Sequence, residues 1–288
     1  NMHTPVLTKE ILELLDPKPG GKYIDATLGF GGHSKAILEA TNNKANVLGI
    51  EKDSEVAQIT ENQNIAGLKI ANDSFANLKK IVEKNGFMQA SGILFDFGFS
   101  SWHIEQSGRG FSFQKDEPLD MRFNQNQTLT ASEIVNSYSE QDIENILRDY
   151  GQETFANRIA RAIVKKRPIQ TSLKLAQIIE QAIPFRGKIH PATKTFQALR
   201  IAVNNELAEI EQGLTQATDV LKTNGRIVAI SFHSLEDKIV KNFFRQHKNI
   251  LKTLTKKPII PQDQEIIQNP KARSAKLRVA EKMTLVSF

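Results

Sequence analysis

Between Tyr23 and Ser100, short apolar runs alternate with stretches of helical periodicity, the pattern expected of β-α-β units that build a parallel sheet. Tyr23 to Ala26, Val47 to Ile50, Lys69 to Ala71 and Gly92 to Phe97 read as strands, with helices from His33 to Thr41 and from Phe75 to Lys84. Continuous apolar runs, rather than strict alternation, indicate strands covered on both faces.

The pattern changes between residues 105 and 205. Asp142 to Tyr150, Thr154 to Lys166, Leu173 to Ala182 and Ala192 to Asn204 each fit a helix, with Pro168, Pro184 and Pro191 marking breaks. In the second of these, Phe155, Ile159 and Ile163 share one face while Arg158, Arg161 and Lys165 share another. An apolar stripe of Leu207, Ile210, Leu214 and Leu221 predicts a further helix, closed by Asn224-Gly225, and Arg226 to Phe232 predicts that the sheet resumes. Lys276 to Lys282 alternates and is short, as a last, edge strand would be. The architecture expected is α/β: a doubly wound sheet domain from 1–104 and 209–288, interrupted by an inserted helical domain at 105–208.

Composition narrows the class. The chain has 288 residues, 40% hydrophobic and 24% charged, ordinary for a globular protein with a sizeable core. It lacks cysteine, which excludes disulfides, Cys-ligated metal and a thiol nucleophile. No run approaches 18 apolar residues and the N-terminal pattern is not that of a signal peptide, so a soluble, cytoplasmic protein is expected, with Met2 as its natural initiator. The net charge of +6 conceals a strong segregation. Residues 157 to 200 carry ten Lys or Arg against Glu180 alone, a net +9. Residues 241 to 282 carry eleven against Asp263, Glu265 and Glu281, a net +8, leaving −11 for the remainder. Clustered cations suit a polyanion, although solvated basic helices would look the same.

The turn after the first strand holds Asp25, then Gly29, Gly31 and Gly32. Glycines at a strand-to-helix turn let the backbone approach a ligand, and the helix N-terminus supplies N–H groups. Ser34 stands where a dinucleotide fingerprint has its third glycine, which disfavours a diphosphate site. Glu51, twenty residues after Gly31 and at the end of the second strand, can accept from the ribose hydroxyls of an adenosine. Phe75 follows the third strand, where a ring could stack on adenine, and Asp96 ends the fourth. A tight turn, a solvated carboxylate and a core phenylalanine are the plainer readings of each. Together, at the carboxyl edge of one sheet, they indicate adenosine without diphosphate, as in S-adenosylmethionine. The six histidines show no metal-ligand spacing, and no metal is expected.

Beyond Asp96 lie Gly98, Ser100, Ser101, Trp102 and His103, then Arg109-Gly110-Phe111-Ser112-Phe113 and the segment from Asp116 to Arg122. With HPATKTFQALRIAVNNEL (190 to 207), ISFHSLEDKIVKNFF (230 to 244) and NPKARSAKLRVAEK (269 to 282), these blocks resemble the bacterial ribosomal RNA small-subunit methyltransferase H family, also called MraW, from His3-Thr4-Pro5-Val6-Leu7 to Glu281. The resemblance implies a Rossmann-like class I methyltransferase sheet. It also implies methyl transfer from S-adenosylmethionine to the exocyclic N4 of a decoding-region cytidine, with 16S rRNA or the small ribosomal subunit as partner. The family's cofactor positions fall on Gly31, Gly32, His33, Glu51, Phe75, Asp96 and His103, the last standing where relatives usually have Gln and Glu51 where they commonly have Asp.

A cytosine amino group is a poor nucleophile, so the site should accept one of its N–H bonds as the methyl moves. Asp96 is the first candidate for this acceptor and the Ser100 hydroxyl its rival. The target base must leave its stack; Trp102, Phe111 and Phe113 could receive it and Arg109 and Arg122 could hold neighbouring phosphates, with core packing the alternative for each ring. Arg158, Arg161 and Lys165 are expected to face RNA. His233 fits either a structural or an acceptor-site role. Without cysteine, thiol-dependent methylation at pyrimidine carbon 5 is excluded.

Overall fold

A computed structural model describes residues 5–183 and 189–284; Met2, His3, Thr4 and Pro184, named above, lie outside them. The chain forms two compact units, residues 1–98 with 207–288, and residues 99–206. In chain order the first unit begins with α1 (Thr8–Leu15), β1 (Lys22–Asp25), α2 (Gly32–Ala40), β2 (Asn46–Glu51), α3 (Ser54–Glu61), β3 (Leu68–Asn72), α4 (Leu78–Asn85) and β4 (Ala90–Asp96). The second unit contributes α5 (Ser101–Glu105), α6 (Ala131–Ser137), α7 (Glu140–Gly151), α8 (Ala156–Lys165), α9 (Ser172–Ala182) and α10 (Thr193–Asn204). The chain returns to the first through α11 (Glu206–Val220), β5 (Leu221–Ser231), α12 (Ser234–Gln246), β6 (Leu251–Thr253), α13 (Asp263–Gln268) and β7 (Lys276–Lys282).

The strands form one sheet in the order β3-β2-β1-β4-β5-β7-β6. β1 to β5 are parallel, and β7 runs antiparallel between β5 and β6. Alternate residues feed two cores, as the pleat requires. Ile24, Leu48, Ile93 and Phe95 enter one with α4 and α11, while Tyr23, Val47, Leu94 and Val228 enter the other with α1 and α2. Burial on both faces explains the apolar runs. The strand order reverses between β1 and β4, the switch point where open α/β sheets take ligands. Fold and sequence agree on a doubly wound, Rossmann-like sheet.

Three expectations are corrected. β7 is not an edge strand: β6, only three residues long, pairs outside it. Arg278, one of the polar positions of β7, is buried and its guanidinium binds both Asp237 carboxylate oxygens, at 2.7 and 3.1 Å. Leu221 leaves the helical stripe to begin β5 opposite Ala90, ahead of a register irregularity. The first unit ends at Gly98 rather than residue 104, because Phe99 stacks on Phe111 at 6.1 Å and lies under the Arg200 guanidinium at 4.4 Å, both within the helical unit. At the other end Arg200 holds Glu206 through bonds of 2.7 and 3.0 Å.

The helical unit packs around Ile134, Leu147, Ile159, Ile163, Ile179 and Leu199. Thr130, Ser139 and Thr171 cap α6, α7 and α9 by accepting the N–H of Glu133, Asp142 and Lys174, the service short hydroxyl side chains give best. Among the described residues no helix is long and apolar enough to cross a membrane.

Candidate functional site

β1 delivers Asp25 to the carboxyl edge of the sheet, where it is buried and accepts from the Ser34 hydroxyl at 2.7 Å and the Thr27 N–H at 3.3 Å. The chain then turns through Gly29 (φ 51°) and Gly31 (φ 78°). Both occupy the left-handed region that side chains avoid. Gly31 caps α2, and a Cβ on Gly32 would meet the Pro5 ring at 3.1 to 3.2 Å. The turn therefore brings bare backbone and the amino end of α2 to one place. Burial raises the Asp25 pKa, against the neighbouring His33 charge and the Ser34 bond.

Glu51, at the end of β2, folds toward this turn. Its Oε2 accepts the Gly29 N–H at 2.9 Å and its Oε1 the Asp53 N–H at 2.8 Å. Burial nonetheless raises its pKa to about 7 because those two bonds only partly offset the loss of water. Phe75 follows β3, half-buried, with its ring 5.6 Å from Phe95 and 6.0 Å from Phe97. Gly213 of α11 makes room, since a Cβ there would lie 2.7 Å from Phe75 Cδ2.

Asp96 is fixed to the same turn by its N–H, which donates to Thr27 Oγ1 at 2.7 Å. Its Oδ2 lies 3.3 Å from His33 Nε2. Burial opposes a charged His33, but the Asp96 bond and the charges of Asp96, Asp25 and Glu265 outweigh it and hold the imidazole above its ordinary pKa. Asp96 Oδ1 and His33 Nδ1 are buried without a hydrogen-bond partner. Orphaned polar atoms of this kind call for a ligand. The donor set defines which ligand fits: Asp25, Glu51 and Asp96 suit a cation with hydroxyls, as in S-adenosylmethionine, and would repel the diphosphate of a dinucleotide.

The acceptor-side residues belong to the helical unit, and the structure revises several of them. His103 is buried; its Nδ1 lies 2.9 Å from Ser100 Oγ and 3.2 Å from the Ser100 N, and its ring sits among Trp102, Phe111 and Phe123 at 5.0 to 5.3 Å. The Ser100 hydroxyl is thereby engaged at the amino end of α5. Arg109, expected to hold a phosphate, is only 5% exposed; it donates to the Arg122 and Phe123 carbonyls and lies over Trp102. Phe111 is a core residue, stacked on Phe123. Arg122 ties its own loop together, binding both Asp120 oxygens and the carbonyls of Gln125 and Gln127. Burial disfavours the Asp120 anion, but Arg122 outweighs this and keeps its pKa low. Phe113 is half-buried and stacks on His190 at 4.3 Å. Trp102 remains half-exposed.

The basic stretches also divide. Arg158, Arg161 and Lys165 are exposed on α8, opposite the buried Ile159 and Ile163. Arg167, Arg200 and Arg278 instead serve the fold through bonds to carbonyls or carboxylates.

The model of the MraW methylase family matches residues 1–283. The chain belongs to that family. Relatives named ribosomal RNA small subunit methyltransferase H include that of Sulfurihydrogenibium sp., 48% identical over 98% of this chain and 99% of its own length. That of Kosmotoga olearia is 46% identical over 98% and 97%, and that of Dehalococcoides mccartyi 45% over 98% and 86%. Similar solved structures include an rRNA methylase from Streptococcus thermophilus, at 10% identity and TM-score 0.46 over 96% of this chain and 94% of that one.

This MraW-family chain is a methyltransferase whose cofactor is S-adenosylmethionine. Sequence reasoning missed the Asp25–Ser34 and Thr27–Asp96 bonds that brace the site. It also left His233 open and passed over Glu236, a wholly buried carboxylate that only the cap geometry of α12 reveals.

Proposed function

We propose that this protein transfers a methyl group from S-adenosylmethionine to the exocyclic N4 of a decoding-region cytidine in 16S rRNA, acting on the RNA or the small ribosomal subunit. The observation that carries this reading is the family match over nearly the whole chain, with relatives at 44 to 48% identity named for small-subunit ribosomal RNA. The cofactor, when bound, supplies an electrophilic methyl on a sulfonium centre.

The chain's own residues do the rest. Gly31, Gly32 and His33, at the amino end of α2, hold the amino-acid portion; Glu51 takes the ribose hydroxyls; the open side of Phe75 faces adenine. Asp96 serves twice. Its Oδ2 is held by His33, and its unpartnered Oδ1 accepts an N–H of the target amino group, turning the nitrogen lone pair out of conjugation and toward the methyl. Trp102 and Phe113 are the rings left to receive an extruded base, and Arg158, Arg161 and Lys165 on α8 meet the phosphate backbone.

Incubating the protein with labelled S-adenosylmethionine and small-subunit RNA or subunits lacking the modification tests this: label should enter the RNA, and none from protein that binds the cofactor would refute the reading.

A further inference from the structure

A second polar group stands at the sheet edge that carries Asp96. β5 is the hydrogen-bonded neighbour of β4, with Asp96 in register with Ile230 and the Phe97 N–H donating to the Ile230 carbonyl at 3.0 Å. Three residues past Ile230 the chain enters α12 through His233. His233 occupies the N-cap, a place usually given to Ser, Thr, Asp or Asn. Its Nδ1 accepts the Glu236 N–H at 3.4 Å, and Glu236 Oε2 accepts in return from the N–H groups of Phe232 at 2.8 Å and His233 at 3.3 Å.

This reciprocal cap fixes the tautomer. An Nδ1 that accepts carries no proton, so the neutral ring bears its proton on Nε2. Nε2 lies 3.0 Å from Glu236 Oε1, yet at an angle that makes no hydrogen bond, and it is buried without a partner. The ends of two paired strands thus offer one buried acceptor, Asp96 Oδ1, and one buried donor, His233 Nε2–H, neither hydrogen-bonded within the protein. Buried polar groups are rarely left in that state unless a ligand completes them.

Acceptor beside donor is the complement of one pyrimidine edge. Cytosine presents its N4–H donor next to its N3 acceptor, whereas uracil presents the O4 acceptor next to an N3–H donor. We propose that His233 Nε2–H donates to N3 of the target cytosine while Asp96 accepts from N4, so that the pair selects cytosine over uracil, and that Glu236 is the positioning residue that holds the His233 ring and tautomer. The proposal rests on the cytosine-N4 reading above. It gives a role to a histidine where a serine would cap the helix as well.

The test is a cycle between protein and substrate. The RNA that the enzyme methylates is prepared with cytidine or 3-deazacytidine at the methylated position, the latter replacing the N3 acceptor by C–H. kcat/KM is measured with the wild type, His233→Asn and His233→Phe. Asn retains an N-cap acceptor but lacks the ring donor, so it separates the contact from the cap, and cofactor titration with thermal melting verifies folding of each variant. Relative to its own rate on cytidine RNA, the wild type should lose about tenfold on 3-deazacytidine RNA. His233→Asn should lose a similar factor on cytidine RNA at unchanged cofactor affinity, and the further loss on 3-deazacytidine RNA should vanish. A His233→Asn enzyme as active as the wild type, or a 3-deaza penalty that persists undiminished in it, overturns the contact alone. A wild type that binds cofactor and methylates no cytidine RNA overturns the function and the contact with it.

Discussion

The Glu51 carboxylate closes on the Gly29 N–H at 2.9 Å, tying the end of β2 to the glycine turn that follows β1. The same carboxylate has a pKa raised to about 7 by burial. Ribose hydroxyls donate best to its ionised form, so cofactor binding should tighten by about tenfold between pH 6 and pH 8 and release a proton near pH 7. Calorimetric titration in buffers of different ionisation enthalpy measures both. In Glu51→Gln the affinity should fall and this component of its pH dependence disappear.

The sign for stability is opposite. Glu51 titrates higher in the folded chain than its ordinary value of 4.5, and Asp25 and His33 are also shifted upward. Each group then binds its proton more tightly when folded, so its contribution is full below the unfolded pKa and is lost as pH rises through the folded one. For Glu51 that window runs from 4.5 to about 7. The melting temperature of the cofactor-free protein should therefore fall across this window, and added cofactor should restore more of it at pH 8 than at pH 6.

Asp96 accepts from His33 on one oxygen and leaves the other unpartnered. Asp96→Asn halves the acceptor capacity and removes the charge while keeping the shape. The expected outcome is a fall in the single-turnover methylation rate of about a hundredfold, larger than the change in cofactor Kd measured alongside it. Equal changes in the two would make Asp96 a binding residue only.

The exposed cations of α8 can be reversed without touching the core beneath them. Arg158→Glu, Arg161→Glu and Lys165→Glu together should weaken RNA binding and lower the slope of log K against log salt by about 2 to 3, since each phosphate contact contributes roughly 0.7 to 0.9. Cofactor affinity should not move. Arg161 lies 3.6 Å from Glu140 in an exposed pair that adds little to stability.

Arg109 makes the contrasting case. Its buried guanidinium holds the Arg122 and Phe123 carbonyls, so Arg109→Met should cost about 2 to 3 kcal/mol of stability in chemical denaturation and leave the RNA salt slope unchanged.

What was legible in the sequence follows from these particulars. Val47 to Ile50 and Gly92 to Phe97 announce strands because both faces of β2 and β4 are covered. Glu51 and Asp96 could be placed at the ligand edge because each follows directly from an apolar run. β6 left no signal: of its three residues only Leu251 is buried. Leu221 continues the helical spacing of α11, and only pairing with Ala90 takes it into the sheet. Arg109 and Phe111 looked available because residue type and spacing do not reveal whether a guanidinium finds backbone carbonyls or a ring finds Phe123. His233 could not be read because its tautomer depends on a cap that forms only in the fold.

The most direct measurement is mass spectrometry of nucleosides from 16S rRNA methylated by this protein with isotopically labelled S-adenosylmethionine. Labelled N4-methylcytidine, absent with Asp96→Asn at matched cofactor occupancy and short reaction times, is the result expected. Label at cytosine carbon 5, on another base or on ribose, with none at N4, would contradict the account.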